Sequence, residues 1–146
     1  MQQHAADGTA ARRLREAGLK VTPQRLAVYS ALEKRRDHPT VREILATVRQ
    51  AMPAVAADTV YRTLMSLSEA GLCRALDGLG DARRFDPVTA VHHHFHCSAC
   101  GRVFDVAYPA FDRLPPPHEL GGDWMVENTS VRFTGLCPAC RMKKSH

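Results

Sequence analysis

The chain has 146 residues, with 20 Lys and Arg against 15 Asp and Glu and a formal charge of +5 at pH 7. That length suits one domain or two small ones and excludes a large enzyme barrel. A hydrophobic content of 45% beside 24% charged residues argues against disorder, no apolar run reaches the roughly 18–20 residues of a membrane span, and Met1 to Ala17 lacks the apolar stretch of a secretory signal, so a cytoplasmic location is expected.

In chain order, a polar lead gives way to a helix-forming stretch from Ala10 to Ala17 that stops at Gly18. Thr22-Pro23 reads as N-cap followed by proline at the first helical position. Leu26, Tyr29 and Leu32 then give an apolar helical face to about Arg36. His38-Pro39-Thr40 breaks and restarts the chain, because proline disfavours helix in the residue before it and Thr40 can cap. Val41, Ile44, Leu45, Val48 and Met52 repeat the helical spacing up to Pro53. A fourth helix is expected from Ala57 to Ala70, with Val60, Leu64 and Leu67 inward and Gly71 closing it. Leu72 to Leu76 and a short run to Phe85 flank the turn Asp77-Gly78-Leu79-Gly80 and read as a hairpin.

Helices followed by a hairpin form the winged helix-turn-helix pattern, in which the helix before the wing enters the major groove. That helix presents Asp58, Thr59, Tyr61, Arg62 and Ser66 between its core positions. Arg62 can fork onto a guanine edge, and Tyr61 can reach a phosphate or a thymine methyl. Arg12, Arg13, Arg15, Lys20 and Arg25 are expected on phosphates, whereas the Asp58 carboxylate opposes DNA. Residues 1–86 carry 14 basic and 10 acidic side chains, against 6 and 5 in residues 87–146. A solvated basic face is the plain alternative.

The second half holds metal-ligand residue types. Cys97-Ser-Ala-Cys100 and Cys137-Pro-Ala-Cys140 are two Cys-x-x-Cys knuckles with 36 residues between them. In a reducing compartment such pairs point to metal or redox chemistry rather than disulfides. Four thiolates close a structural Zn²⁺ site once a small sheet brings the knuckles together. Cys73 stands alone and reads as a small buried hydrophobe. His92, His94 and His96 alternate, so a strand projects them to one face and His93 to the other. Asp86 and Asp105, on a strand from Val103 to Val106, can complete an N/O site for Fe²⁺, Mn²⁺ or Zn²⁺. Trp124 to Leu136 alternates and can extend a sheet across a two-fold axis.

Several stretches together resemble the ferric uptake regulator superfamily over nearly the whole chain: Gly18-Leu-Lys-Val-Thr-Pro-Gln-Arg25, His38-Pro-Thr, Thr59-Val-Tyr-Arg-Thr-Leu64, Arg84-Phe-Asp86, His92-His-His-Phe-His-Cys97-x-x-Cys100-Gly, and Cys137-x-x-Cys140. The resemblance implies an α+β protein that works as a homodimeric, metal-dependent repressor on an AT-rich inverted repeat of double-stranded DNA. It implies a winged-helix domain at 1–86, a hinge at 87–91, and an α/β dimerisation and metal-binding domain at 92–146. Gly80-Asp-Ala-Arg-Arg-Phe-Asp86 and Gly101-Arg-Val-Phe-Asp105-Val-Ala-Tyr-Pro109 are most similar to the peroxide-sensing branch. On that likeness His38, Asp86, His92, His94 and Asp105 hold regulatory Fe²⁺ or Mn²⁺, His38 and His92 are the sites of oxidation, and the four knuckle cysteines hold zinc.

Departures from the pattern also carry expectations. Pro115-Pro116-Pro117 falls where relatives continue a helix, so that element is short or broken. Val91 and Thr129 replace histidines of an extra metal site, leaving His93 and Asp112 as its remnants. His118 and His96 read as surface or core-edge residues. A plain iron or manganese sensor is the nearest alternative function. A zinc hydrolase would leave His38 and the hairpin without a role, and no His-Glu-x-x-His motif is present. A zinc-ribbon interaction module without DNA binding is the third reading.

Overall fold

A computed structural model describes residues 2–77 and 82–145, so the tip of the expected hairpin turn, residues 78–80, lies outside the described residues. The chain divides into two compact units, Met1–Thr89 and Ala90–His146.

In the first unit, α1 spans Gln2–Glu16, α2 Pro23–Glu33, α3 Val41–Val48 and α4 Ala57–Glu69, followed by strands β1 (Arg74–Leu76) and β2 (Arg84–Asp86). The polar lead is itself helical, which corrects the expected start of α1 at Ala10. Gly18, at φ 78°, ends that helix, and the Leu19 and Gly18 N–H groups donate back to the Leu14 and Arg15 carbonyls. Gly71 ends α4 in the same way, through bonds from Leu72 to Leu67 and from Gly71 to Ser68.

Thr22 caps α2 by accepting the Arg25 N–H at 3.2 Å. Thr40 and Glu43 form a reciprocal capping box on α3. Helices α2 and α3 stop at Glu33 and Val48, short of the expected Arg36 and Met52. The reason at α3 is local: beyond Val48 the N–H groups of Gln50 and Ala51 turn to Thr47 and Val48, tightening the last turn before Pro53. Leu14, Val28, Leu32, Ile44, Val60, Leu64, Leu67 and Phe85 are fully buried and make one core. Strands β1 and β2 pair antiparallel, with Ala75 opposite Phe85, so the hairpin delivers its aromatic into that core.

In the second unit, β3 (His93–Cys97) lies between β4 (Val103–Val106) and β5 (Arg132–Gly135), antiparallel to the first and parallel to the second. Helices α5 (Pro109–Asp112) and α6 (Pro138–Lys144) are short, and a single 3-10 turn covers His118–Leu120. The three prolines after Leu114 end α5, as its sequence implies. The strand expected over Trp124 to Leu136 shrinks to Arg132–Gly135. Val131 still bonds β3 through its carbonyl and N–H, but Trp124 and Met125 stay 68% and 82% exposed. No helix among the described residues is long and apolar enough to cross a membrane.

Candidate metal centres and nucleic-acid face

The two knuckles converge as their spacing implies. β3 and β5 run side by side with Cys97 opposite Gly135, and Ser98 N–H donates to the Gly135 carbonyl at 2.8 Å. Gly101, at φ 73°, turns the first knuckle. The sulfurs of Cys97, Cys100, Cys137 and Cys140 all lie within 4.8 Å of one another, and Cys100 and Cys137 are 3.9 Å apart. Tetrahedral Zn–S bonds of about 2.3 Å put sulfurs about 3.8 Å apart, so the cluster fits zinc. Backbone N–H groups of Cys137, at 3.3 Å, and of Cys100 hold the Cys97 thiol down to about 6. The Cys137 sulfur, then burial, push Cys140 up to about 12. Without a cation the cluster favours some thiolates and opposes others, and a bound dication removes that conflict.

The histidines sort by hydrogen bonding. In the second unit His94 stands opposite Asp105 across β3 and β4. His92 Nε2 and His94 Nε2 approach the same Asp105 Oδ1 at 3.2 and 3.5 Å. His92 Nδ1 meets the Ala90 carbonyl at 2.7 Å, so Nδ1 carries the proton and donates. With Nδ1 given to the Ala90 carbonyl, Nε2 is the ring atom that faces the Asp105 carboxylate, and a cation held there would meet both. The residues therefore fit an imidazole–carboxylate metal site.

In the first unit His38 and Asp86 form a second buried pair, Nε2 to Oδ2 at 3.4 Å. Asp86 Oδ1 also accepts the Val88 N–H at 2.9 Å, which fixes the carboxylate. Asp86 arrives at the end of β2, and His38 sits in the loop between α2 and α3.

His93 is a different residue from its neighbours. Its ring is fully buried, Nδ1 accepts the Val131 N–H at 3.0 Å, and Nε2 therefore donates to Asp112 Oδ1 at 2.8 Å. Both ring nitrogens are committed, so no lone pair is left for a metal. The expected remnant of an extra site is instead a pin between β3, α5 and the segment before β5.

On the nucleic-acid side, Thr59, Tyr61 and Arg62 of α4 are all exposed. Arg62 Nε lies 2.8 Å from Asp58 Oδ2, one helical turn earlier, with both side chains largely exposed. That pair is weak in water, and it parks the guanidinium on its own helix. Tyr61 Oη bonds Arg83 Nη1 at 3.2 Å, and Arg83 Nε reaches Asp77 at 2.5 Å, tying hairpin to helix. Arg25 bonds the Lys20 carbonyl, which closes the loop before α2 and holds both residues beside each other. Arg13, expected on a phosphate, is bound to Glu33 at 2.6 Å and clips α1 to α2.

Sequence reasoning missed Arg83 and Arg84. The available signal was the two-residue period of β2, which sets Arg84 on the same face as Asp86.

A four-helix core with a paired hairpin, followed by a small sheet carrying a tetrathiolate cluster and an imidazole–carboxylate cluster, defines a metal-binding winged-helix protein. The chain belongs to the Ferric uptake regulator family, whose profile matches residues 16–132. It is 34% identical over 134 residues to the peroxide operon regulator of Bacillus subtilis, covering 91% of this chain and 92% of that one. Among solved structures, the Helicobacter pylori ferric uptake regulator, described with three functional metal-binding sites, superposes with a TM-score of 0.76 at 22% identity, over 94% of this chain and 93% of that one. The Campylobacter jejuni peroxide stress regulator superposes with a TM-score of 0.64 at 26% identity, over 91% and 97%.

Proposed function

We propose that this chain is a metal-dependent DNA-binding repressor that reads peroxide through its own ligand histidines. The observation that carries the reading is the donor set. The first unit contributes His38 and Asp86, and the second contributes His92 and His94 around Asp105. Neither set alone makes a full shell for Fe²⁺ or Mn²⁺, and together they offer three imidazoles and two carboxylates. One ion shared by both sets favours a single arrangement of the two domains about a hinge at 87–91, because its differential affinity lies with the closed state. The tetrathiolate zinc holds the second unit together. A homodimer formed on the open edge of β5 then spaces two α4 helices on an inverted repeat, with Thr59, Tyr61 and Arg62 toward bases and Lys20 and Arg25 toward phosphates.

Iron bound there supplies the electron transfer that reduces peroxide beside its ligands. Net, one peroxide is consumed, one oxygen atom enters a ring carbon of His38 or His92, and one water leaves. The imidazole is oxidised as the peroxide is reduced. An oxidised ring loses the basic nitrogen that held the ion, and the repressor leaves its operator in the cytoplasm. Support for peroxide rather than metal alone comes from Asp105 in place of a longer carboxylate and from the similarity to peroxide regulators.

The test is intact mass after peroxide treatment of iron-loaded and manganese-loaded protein, with DNA binding followed in parallel. One added oxygen on His38 or His92, with iron only and with loss of DNA binding, is the expected result. No addition with iron leaves an iron- or manganese-responsive repressor. A multiple-turnover hydrolysis assay with no product is expected alongside, against the zinc hydrolase reading.

A further inference from the structure

We propose that Arg84 is a positioning residue for the metal ligand His38, so that wing strand β2 sets metal affinity from inside the DNA-binding unit. The proposal rests on the reading of His38 as a ligand.

Among the described residues His38 is the one non-glycine with positive φ, at 54°. Histidine tolerates that region better than most residues but does not prefer it. Pro39 further disfavours the right-handed helical region for His38, yet it does not select the left-handed one. What holds the backbone there comes from β2. Arg84 Nη1 donates to the His38 carbonyl at 2.9 Å, across 46 residues of sequence. Phe85 N–H donates to the Pro39 carbonyl at 2.9 Å, and Thr40 bridges Arg84 antiparallel.

Arg84 and Asp86 lie on one face of β2, two residues apart. One grips the His38 backbone and the other faces its ring at 3.4 Å. Phe85 between them is fully buried in the helical core, so the strand has a fixed seat from which to hold the loop. The same strand's neighbour Arg83 bonds Tyr61 on the exposed side of α4. The ligand loop, the wing and the DNA-reading helix thus meet at three consecutive residues, 83 to 85, and the next carboxylate.

The left-handed backbone of a non-glycine residue is disfavoured by a population ratio of about five- to thirty-fold. Apparent metal affinity falls by the fraction of chains that leave the competent conformation. The Phe85 bond survives loss of the Arg84 side chain, so Arg84→Gln is expected near the low end, about a five-fold rise in the Mn²⁺ dissociation constant.

The experiment is Mn²⁺ titration of the full-length zinc-loaded protein, read by the electron paramagnetic resonance of free Mn²⁺. Wild type, Arg84→Gln, His38→Ala and the double variant form a cycle, with thermal unfolding of the Mn²⁺-free forms beside it. The expected result is a loss for Arg84→Gln that disappears in the His38→Ala background. An equal loss in both backgrounds marks a general structural effect and overturns the proposal, as does no loss at all. If His38→Ala binds Mn²⁺ like wild type, His38 is not a ligand, and the reading above falls together with this one. If His38→Ala is impaired and Arg84→Gln is not, the present proposal falls alone. Arg84→Lys keeps the charge and one donor and is expected to lie between wild type and Arg84→Gln. Should Arg84→Gln not fold, Arg84→Lys runs the same cycle against the same criteria.

Discussion

His93→Ala distinguishes a structural histidine from the ligands on either side of it. Removing the ring strips the Val131 N–H of its acceptor in a part-buried position, worth about 1 kcal/mol at the low end of the range for an unsatisfied donor. The bond to Asp112 is also lost, but that carboxylate is 41% exposed and regains water, so its share is roughly 0.5–1 kcal/mol. The ring itself packs edge-on to Phe111 at 5.4 Å with no solvent exposure, and the void left behind costs about 1–2 kcal/mol. The sum is about 3 kcal/mol. His93→Asn keeps an acceptor near the position of Nδ1 and is expected to recover about 1 kcal/mol of it. Denaturant unfolding of the zinc-loaded protein at fixed concentration measures this, with Mn²⁺ stoichiometry followed in parallel. Loss of a bound metal ion with little change in stability would refute the reasoning and restore His93 as a ligand.

Cys97→Ser is expected to abolish zinc binding and to unfold or monomerise the protein, checked by metal analysis and sedimentation; a stable zinc-free dimer would contradict it. Arg62→Ala should weaken operator binding by roughly 1–3 kcal/mol and relax preference at one base position, and Asp58→Asn should strengthen binding to all sequences by freeing Arg62 and removing a repulsive charge, both read by anisotropy titration. Arg25→Ala is expected to weaken all sequences alike with a shallower salt slope. In zinc-free protein Cys97 has its pKa depressed in the fold to about 6. The folded chain therefore binds fewer protons than the unfolded one from there up to the ordinary thiol range near 8.5. Stability should rise with pH across that window and be lost as pH falls through about 6. Cys140, raised to about 12, works the other way and should erode stability above the thiol range.

What the chain discloses locally is also what the structure contains. Thr22-Pro23, Thr40 with Glu43, Gly18 and Gly71 act through bonds within five residues, so their spacing is enough to place helix ends. The cysteine knuckles are similarly local, and only the sheet that joins them needs the fold. Contacts set by tertiary pairing were not legible. His92 and His93 are adjacent and chemically identical. Which one gives Nδ1 to a carbonyl and which receives an N–H there depends on Ala90 and Val131, and the latter is 38 residues from His93. The left-handed backbone at His38 is likewise imposed from β2 and leaves no mark at residue 38 itself. The Asp58–Arg62 pair was the reverse case, with its i,i+4 spacing visible in the sequence. The first two turns of α1 are not legible in the sequence, because a polar helix lacks the apolar period that announces one.

The division of donors has a consequence for how such a regulator responds. In the second unit Asp105 faces both His92 and His94, so that half can retain an ion weakly by itself. In the first unit the His38–Asp86 pair is buried and bound to the wing through Arg84 and through β2. On the proposed reading an ion joins two buried imidazoles around the exposed Asp105 to a buried pair anchored on the wing. Oxidation of His92 would weaken the set around Asp105, whereas oxidation of His38 would place a modified ring, 2% exposed, in a loop bonded to β2 by Arg84 and Phe85. The two lesions should therefore differ. His92 oxidation should leave unfolding of the metal-free first unit unchanged, and His38 oxidation should lower it. Peptide mapping of the oxidised residue, matched to unfolding curves of separated singly oxidised species, tests this. Equal unfolding for the two species would mean that the His38 loop is not held as tightly as its bonds to β2 imply.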